Sequence, residues 1–185
     1  PAIGPMVQTI LPGVLSIAWF VSPHGFGHAA RASAMMDEVF RQRPDAVFEV
    51  LTTVPEWFFA ASLEAPFHYT SCPCDVGLVQ RSALEEDLGA TLELLEEADL
   101  LAKSTIDALA DRVLASGCRA VVADIAPQGL AVARAAGLPA VLVENFTWDW
   151  IYRAYGDRWP AINRWADAFE EEFAQCDLRI QAEPW

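Results

Sequence analysis

Two histidines flank a pair of glycines in the segment Ser22-Pro-His-Gly-Phe-Gly-His-Ala-Ala-Arg31, and chemistry can start from that grouping. A neutral imidazole, with an unperturbed pKa near ~6.5, can take a proton from a hydroxyl as its oxygen attacks. His28 is the candidate base. Asp124 follows the apolar run Ala120–Ala123. A carboxylate there could accept the other ring N–H, hold the tautomer and stabilise the imidazolium. Each residue also has a structural reading, His28 as a cap of its loop and Asp124 as the N-cap of the next helix, and spacing alone supports both readings equally. Ser22 and Ser33 lack the G-x-S-x-G surroundings of a hydrolase nucleophile.

The glycines suggest a second activity of the same loop. Gly25-x-Gly27-x-x-Ala30 fits the G-x-G-x-x-G/A pattern, in which glycines let backbone N–H groups approach a phosphate at a helix N-terminus. A nicotinamide-binding domain would need an acidic residue where the second strand ends, but Leu51 is followed by Thr52, Thr53 and Val54. That mismatch argues against a dinucleotide oxidoreductase, which stays a minor alternative. No cofactor is expected.

These residues need a scaffold that brings distant segments to one edge. Val14–Val21 is an apolar run, part of the longer stretch Ile10–Val21, and reads as a strand buried on both faces. The loop His24–His28 follows, then a helix over 29–42, a strand over 47–51, a helix over 55–62 and a short strand over 67–70. Ser82 with Glu85 reads as a capping box opening a long helix to about Leu101, whose acidic face is solvated. A helix over 104–116 closes at Gly117. A β-α-β unit spans 120–143, with Gly137 ending its helix, and a Pro160-led helix precedes a strand over 178–181. This order predicts an α/β Rossmann-like domain, doubly wound, with a mostly parallel sheet and helices on both faces.

In such sheets ligands bind beyond the carboxyl ends of the strands. That rule gathers His24, Gly25, Gly27 and His28 after the first strand, Asp124 after a later one, and Glu144, Asn145 and Thr147 after the next. Phe146, Trp148, Trp150 and Tyr152 follow; they read either as core and interface packing or as a platform that stacks on a sugar or seals a cleft.

The composition limits the partners. The chain has 185 residues, 54% hydrophobic and 21% charged, which suits a single packed domain over 1–185. Twelve basic against 26 acidic residues give a formal charge of −14, so nucleic acid and anionic membranes are poor partners. Ile10–Val21 is too short to span a bilayer, and no transmembrane segment is expected. Cys72, Cys74, Cys118 and Cys176 are expected reduced, in a cytoplasmic protein; their spacing, with only three histidines, argues against a metal site.

With these residues in view, the chain resembles the N-terminal, acceptor-side domain of GT-B fold glycosyltransferases. Phe20–Arg31 is similar to their glycine loop with terminal His, and its Gly-Phe-Gly-His-Ala-x-Arg form is similar to the glycosyltransferase-like domain preceding the sugar kinase in plant arabinokinases. Val121-Val-Ala-Asp124, the helix after it with Gly-Leu-Pro-Ala-Val, and Val143-Glu-Asn-Phe-Thr-Trp148 extend the likeness over nearly the whole chain. The resemblance implies that His28 deprotonates an acceptor hydroxyl and Asp124 orients it. It places His24, Gly25, Phe26, Gly27, Arg31, Glu144, Asn145, Thr147 and Trp148 around the substrate. It further implies a hydroxyl-bearing small-molecule or glycan acceptor, and a nucleotide-sugar donor held mainly by a C-terminal domain outside this sequence. The isolated domain is then expected to be inactive. The alternative is a non-catalytic sugar- or nucleotide-sensing module of the same fold.

Overall fold

The structure is a computed structural model that describes residues 13–182. The Ile10–Pro12 end of the first apolar run lies outside them. In chain order the elements are β1 (Leu15–Val21), α1 (Phe26–Gln42), β2 (Ala46–Thr52), α2 (Glu56–Ser62), β3 (Phe67–Ser71), β4 (Gln80–Ser82) and β5 (Glu85–Glu86). There follow α3 (Leu88–Ala98), α4 (Lys103–Ala115), β6 (Cys118–Asp124), α5 (Pro127–Ala136) and β7 (Ala140–Glu144). The chain then forms α6 (Trp148–Arg153), a 3-10 turn (Pro160–Ile162), α7 (Asn163–Phe173) and β8 (Leu178–Gln181).

Six strands form one parallel sheet in the order β3-β2-β1-β6-β7-β8. The strand order reverses between β1 and β6, and a crevice opens at the carboxyl ends of strands at such a switch point. Val21 pairs with Asp124 in register, so the last residue of each strand sits at that opening.

Alternation along the strands separates two cores. Ala18 and Phe20 of β1, with Val121, Ala123 and Leu142, pack with residues of α4, α5 and α7. Ile17, Trp19 and Val21, with Val122 and Val143, pack with residues of α1 and α2. The same parity puts Asp124 on the α1 side and Glu144 on the opposite face. Gly129 lets α5 approach closely: a Cβ there would lie 2.7 Å from Phe20 Cβ and 3.1 Å from Ala123 Cβ.

Two expectations need correction. The loop over 24–28 is shorter than its sequence suggests, because α1 begins at Phe26 and takes in Gly27. The capping box at Ser82 and Glu85 opens no helix; these residues face each other across the β4–β5 hairpin, whose tip carries the exposed Leu84. Helix α3 starts beyond it, where Asp87 accepts a hydrogen bond from the Ala90 N–H at 3.0 Å. Ser-x-x-Glu is short enough to occur in a turn, and the ion pair of Arg81 with Asp87 ties that hairpin to the helix start. The acidic residues Glu93, Glu96 and Glu97 are exposed on α3. Among the described residues no helix is long and apolar enough to cross a membrane.

The close approach at Gly129 predicts a measurable penalty. Gly129→Ala should lower unfolding free energy by about 1–3 kcal/mol in urea titration, because the Cβ and ring of Phe20 and the Cβ of Ala123 must give way. An unchanged midpoint would mean that α5 does not seat on β1 as described.

Candidate functional site

The first-strand loop and α1 bring two kinds of group to the switch point. Gly25 adopts φ 90°, a region that side chains with a Cβ rarely occupy, and turns the chain from β1 into α1. Gly27, already helical, has no positive φ. Helix α1 has no side-chain cap, so its first-turn N–H groups face the crevice mouth without one. One turn in, His28 and Arg31 lie three residues apart on the same helical face.

Both reach Asp124, which has no solvent exposure. His28 Nδ1 lies 2.7 Å from Asp124 Oδ1. A carboxylate only accepts, so Nδ1 carries the hydrogen and Nε2 presents its lone pair. The Arg31 guanidinium forks onto the same carboxylate, Nε to Oδ2 at 2.9 Å and Nη2 to Oδ1 at 2.5 Å. Its Nη1 donates to Asn145 Oδ1 at 3.0 Å. Arg31 Nη2 also lies 3.2 Å from His28 Nδ1, an approach of two donors that share Oδ1.

The strand ending at Asp124 is followed by strained backbone. Ile125 is fully buried at φ 46°, which is costly for a β-branched residue. Its N–H is held by Val143 O at 3.1 Å, and the Ser22 N–H by Asp124 O at 3.3 Å.

The other candidates divide. Asn145 joins the network through Arg31, whereas Glu144 is turned to the far face of the sheet. There it accepts a hydrogen bond from Arg179 at 3.3 Å. Phe26 leans away from the dyad and stacks on Phe58, 5.1 Å between ring centroids, with Trp57 alongside. Thr147 is buried at the start of α6 and makes no side-chain cap. Trp148 is buried rather than offered as an open platform, and its Nε1 donates to Asp75 Oδ2 at 2.8 Å. Trp150 is exposed. Phe146 sits edge-on to His28 with ring centroids 5.8 Å apart.

His24 packs edge-on against Trp148, 5.0 Å between centroids, and rests on Gly77, where a Cβ would meet its Nδ1 at 2.4 Å. Partial burial and then the neighbouring His28 lower its pKa, favouring a neutral ring. Glu49 is buried in mid-strand and Thr52 caps the turn after β2, accepting from the Val54 N–H. That arrangement lacks the ribose-binding acid of a dinucleotide site.

One residue escaped the sequence reading. Asp75 is 5% exposed, and its Oδ1 has no hydrogen-bond partner. Burial pushes its carboxyl up to about 6, against the opposing influence of Ser22, Trp148 and His28. Segment 72–79 crosses the carboxyl edge of the sheet, anchored by Cys74 Sγ on Val21 O at 3.1 Å. It is also held by the Tyr152 hydroxyl on Val76 O. Asp75 follows β3 as the other candidates follow their strands, and that place beyond a strand end is the signal that could have found it. Burial raises the Cys72 thiol to about 11 and Cys74 well above its ordinary value, so both stay protonated.

Comparison with known proteins agrees with this architecture. The crystal structure of Arabidopsis thaliana UGT89C1 complexed with UDP aligns with a TM-score of 0.57 at 16% identity, covering 90% of this chain and 44% of that one. The same enzyme complexed with quercetin gives 0.53 at 14% identity, covering 90% and 43%. The likeness is one of fold: the chain has the α/β Rossmann-like fold of a GT-B glycosyltransferase-like domain. In sequence it is similar to L-arabinokinase of Arabidopsis thaliana, 31% identical over 172 residues that cover 90% of this chain. It spans only 16% of that relative's length. No protein-family model matches the chain.

The buried carboxyl of Asp75 gives a pH signature. Folding raises its pKa above the unfolded value near ~3.9, so the folded state holds the proton more tightly. Stability attributable to this group is therefore full below about pH 4 and is lost as pH rises through about 6. Asp75→Asn should raise unfolding free energy at pH 7.5 by up to ~3 kcal/mol and have little effect at pH 3.5. Urea titrations at the two pH values check this, and a variant equally destabilised at both would show that the carboxylate is paired.

Proposed function

We propose that this chain is the acceptor-binding half of an inverting glycosyltransferase that takes its sugar from a nucleotide-sugar donor. The observation that carries the reading is the 2.7 Å contact between His28 Nδ1 and a fully buried Asp124 at the switch point, which leaves Nε2 as a base. The UDP complex of the structural neighbour supports a nucleotide-sugar donor, and on this reading a second domain would hold it.

In this mechanism His28 Nε2 removes the acceptor hydroxyl proton as that oxygen attacks the anomeric carbon. The bond from that carbon to the diphosphate oxygen breaks, the nucleoside diphosphate leaves, and single displacement inverts the centre. The proton remains on His28. Asp124 fixes the ring through Nδ1 and balances the charge that develops on it. Arg31 holds the carboxylate in place, and Asn145 in turn holds Arg31. The first-turn N–H groups of α1 add a positive end near the leaving diphosphate.

One observation favours a second reading, a non-catalytic sugar-sensing module. Arg31 engages both oxygens of Asp124 and so offsets the negative charge that would stabilise an imidazolium.

His28→Ala, made in the longer protein together with its donor-side domain, should lower kcat by ~10²- to 10⁴-fold with little change in donor KM. The 185-residue chain alone should transfer nothing, because donor and acceptor must be brought into attack geometry together. Wild-type turnover by His28→Ala, or donor and acceptor binding without any transfer by the wild type, would replace this reading with the sensing one.

A further inference from the structure

Beside the dyad lies a cleft of about 330 Å³ lined by His24, Thr53, Asp75, Val76, Gly77 and Leu94, among others. It sits at the carboxyl edge of the sheet, and ligand pockets of ~300 Å³ are at the small end of those that enclose a small molecule. We propose that this cleft holds one ring of a sugar or polyol acceptor, with Asp75 as its specificity-determining residue through a hydrogen bond from an acceptor hydroxyl to Oδ1. The assignment rests on the glycosyltransferase reading and deepens it by naming the acceptor class.

Three features of the cleft lead there. The first is Oδ1, a buried acceptor atom that makes no well-formed hydrogen bond, while Oδ2 is taken by Trp148 and the nearby Ser22 hydroxyl only partly steadies the carboxylate. A buried carboxylate oxygen left without a donor is costly, and a ligand hydroxyl removes that deficit. The second is His24. Its ring packs on Trp148 and on the glycine at position 77, and it lines the same cleft as a second polar group beside Asp75. Neighbouring hydroxyls of one ring can then be held at two points. The third is the apolar wall of Val76 and Leu94, which suits the C–H face of a saturated ring. A phenol with a single hydroxyl would leave this pair of polar groups largely unmet, and a polyphenol would lay a flat aromatic face on a wall shaped by Val76 and Leu94.

His28 is not part of the lining, yet it lies beside it: Phe146 stands edge-on to both His28 and Trp148, and Trp148 packs on His24. A ring seated in the cleft would direct a remaining hydroxyl toward the base. Asp75 would bind and orient that ring and take no proton from it.

The test is a ¹H–¹⁵N titration of the 185-residue chain with free D-glucose, D-galactose and D-xylose, and separately with phenol. It follows the Trp148 indole N–H, which reports directly on Asp75. At least one saccharide should shift that signal saturably, phenol should not, and Asp75→Asn should weaken the saccharide by ~10- to 100-fold while the rest of the spectrum stays folded. His24→Ala, which removes the second polar group of the cleft and adds no atom against Trp148 or Asp75, should also weaken it. No saccharide shift at Trp148, undiminished binding by Asp75→Asn, or a response to phenol alone would each overturn the assignment. Saccharide binding that depends on Asp75 in a longer protein with no transferase activity would keep the cleft and remove the transferase reading. Transfer that depends on His28 and is indifferent to Asp75→Asn would do the reverse.

Discussion

Asp124 carries a carboxylate cut off from solvent, and a charge so placed is tolerated only when other groups replace the water it has lost. Three donors do so, one from His28 and two from Arg31, all from the first two turns of α1. This polar knot sets how α1 sits on the sheet at the edge where the strand order reverses. It also selects the tautomer of His28 and recruits Asn145 through the free end of the guanidinium. The backbone answers the same demand: strained Ile125 and the Val143 carbonyl hold the turn beyond Asp124 in one conformation.

A second polar centre lies across the same opening and is left incomplete. Trp148 satisfies half of Asp75, Tyr152 and Cys74 pin the segment that carries it, and one oxygen lacks a donor. The contrast between the two carboxylates is instructive. Asp124 is held by a fixed arginine and an imidazole, whereas Asp75 has only neutral partners, the Trp148 indole and the nearby Ser22 hydroxyl, and burial raises its pKa. A buried group that is structurally complete has little left for a ligand; one that is incomplete has a reason to bind.

Much of this was legible in the chain itself. The apolar runs, the glycines at 117 and 137 and the prolines at 127 and 160 marked most elements, because burial and backbone freedom act locally. His28 and Asp124 stood out since both follow apolar runs. The hairpin at Ser82 was missed because a four-residue capping pattern carries no information about what covers it. Trp148 was open to two readings, and only its neighbours decide that it works as an internal donor.

What the sequence determined by itself is therefore the alternation of strands and helices, and with it the rule that chemistry collects beyond the carboxyl ends of strands. Tertiary structure decided which of those residues meet. Parity sends Glu144 to the opposite face from Asp124 although both end strands, because successive side chains of a strand point to opposite sides. Arg31 becomes part of the dyad's support, and Asp75 becomes a neighbour of His24, through contacts between segments far apart in the chain. Such contacts follow from how helices and loops close over the sheet, and no local pattern of residue types encodes them.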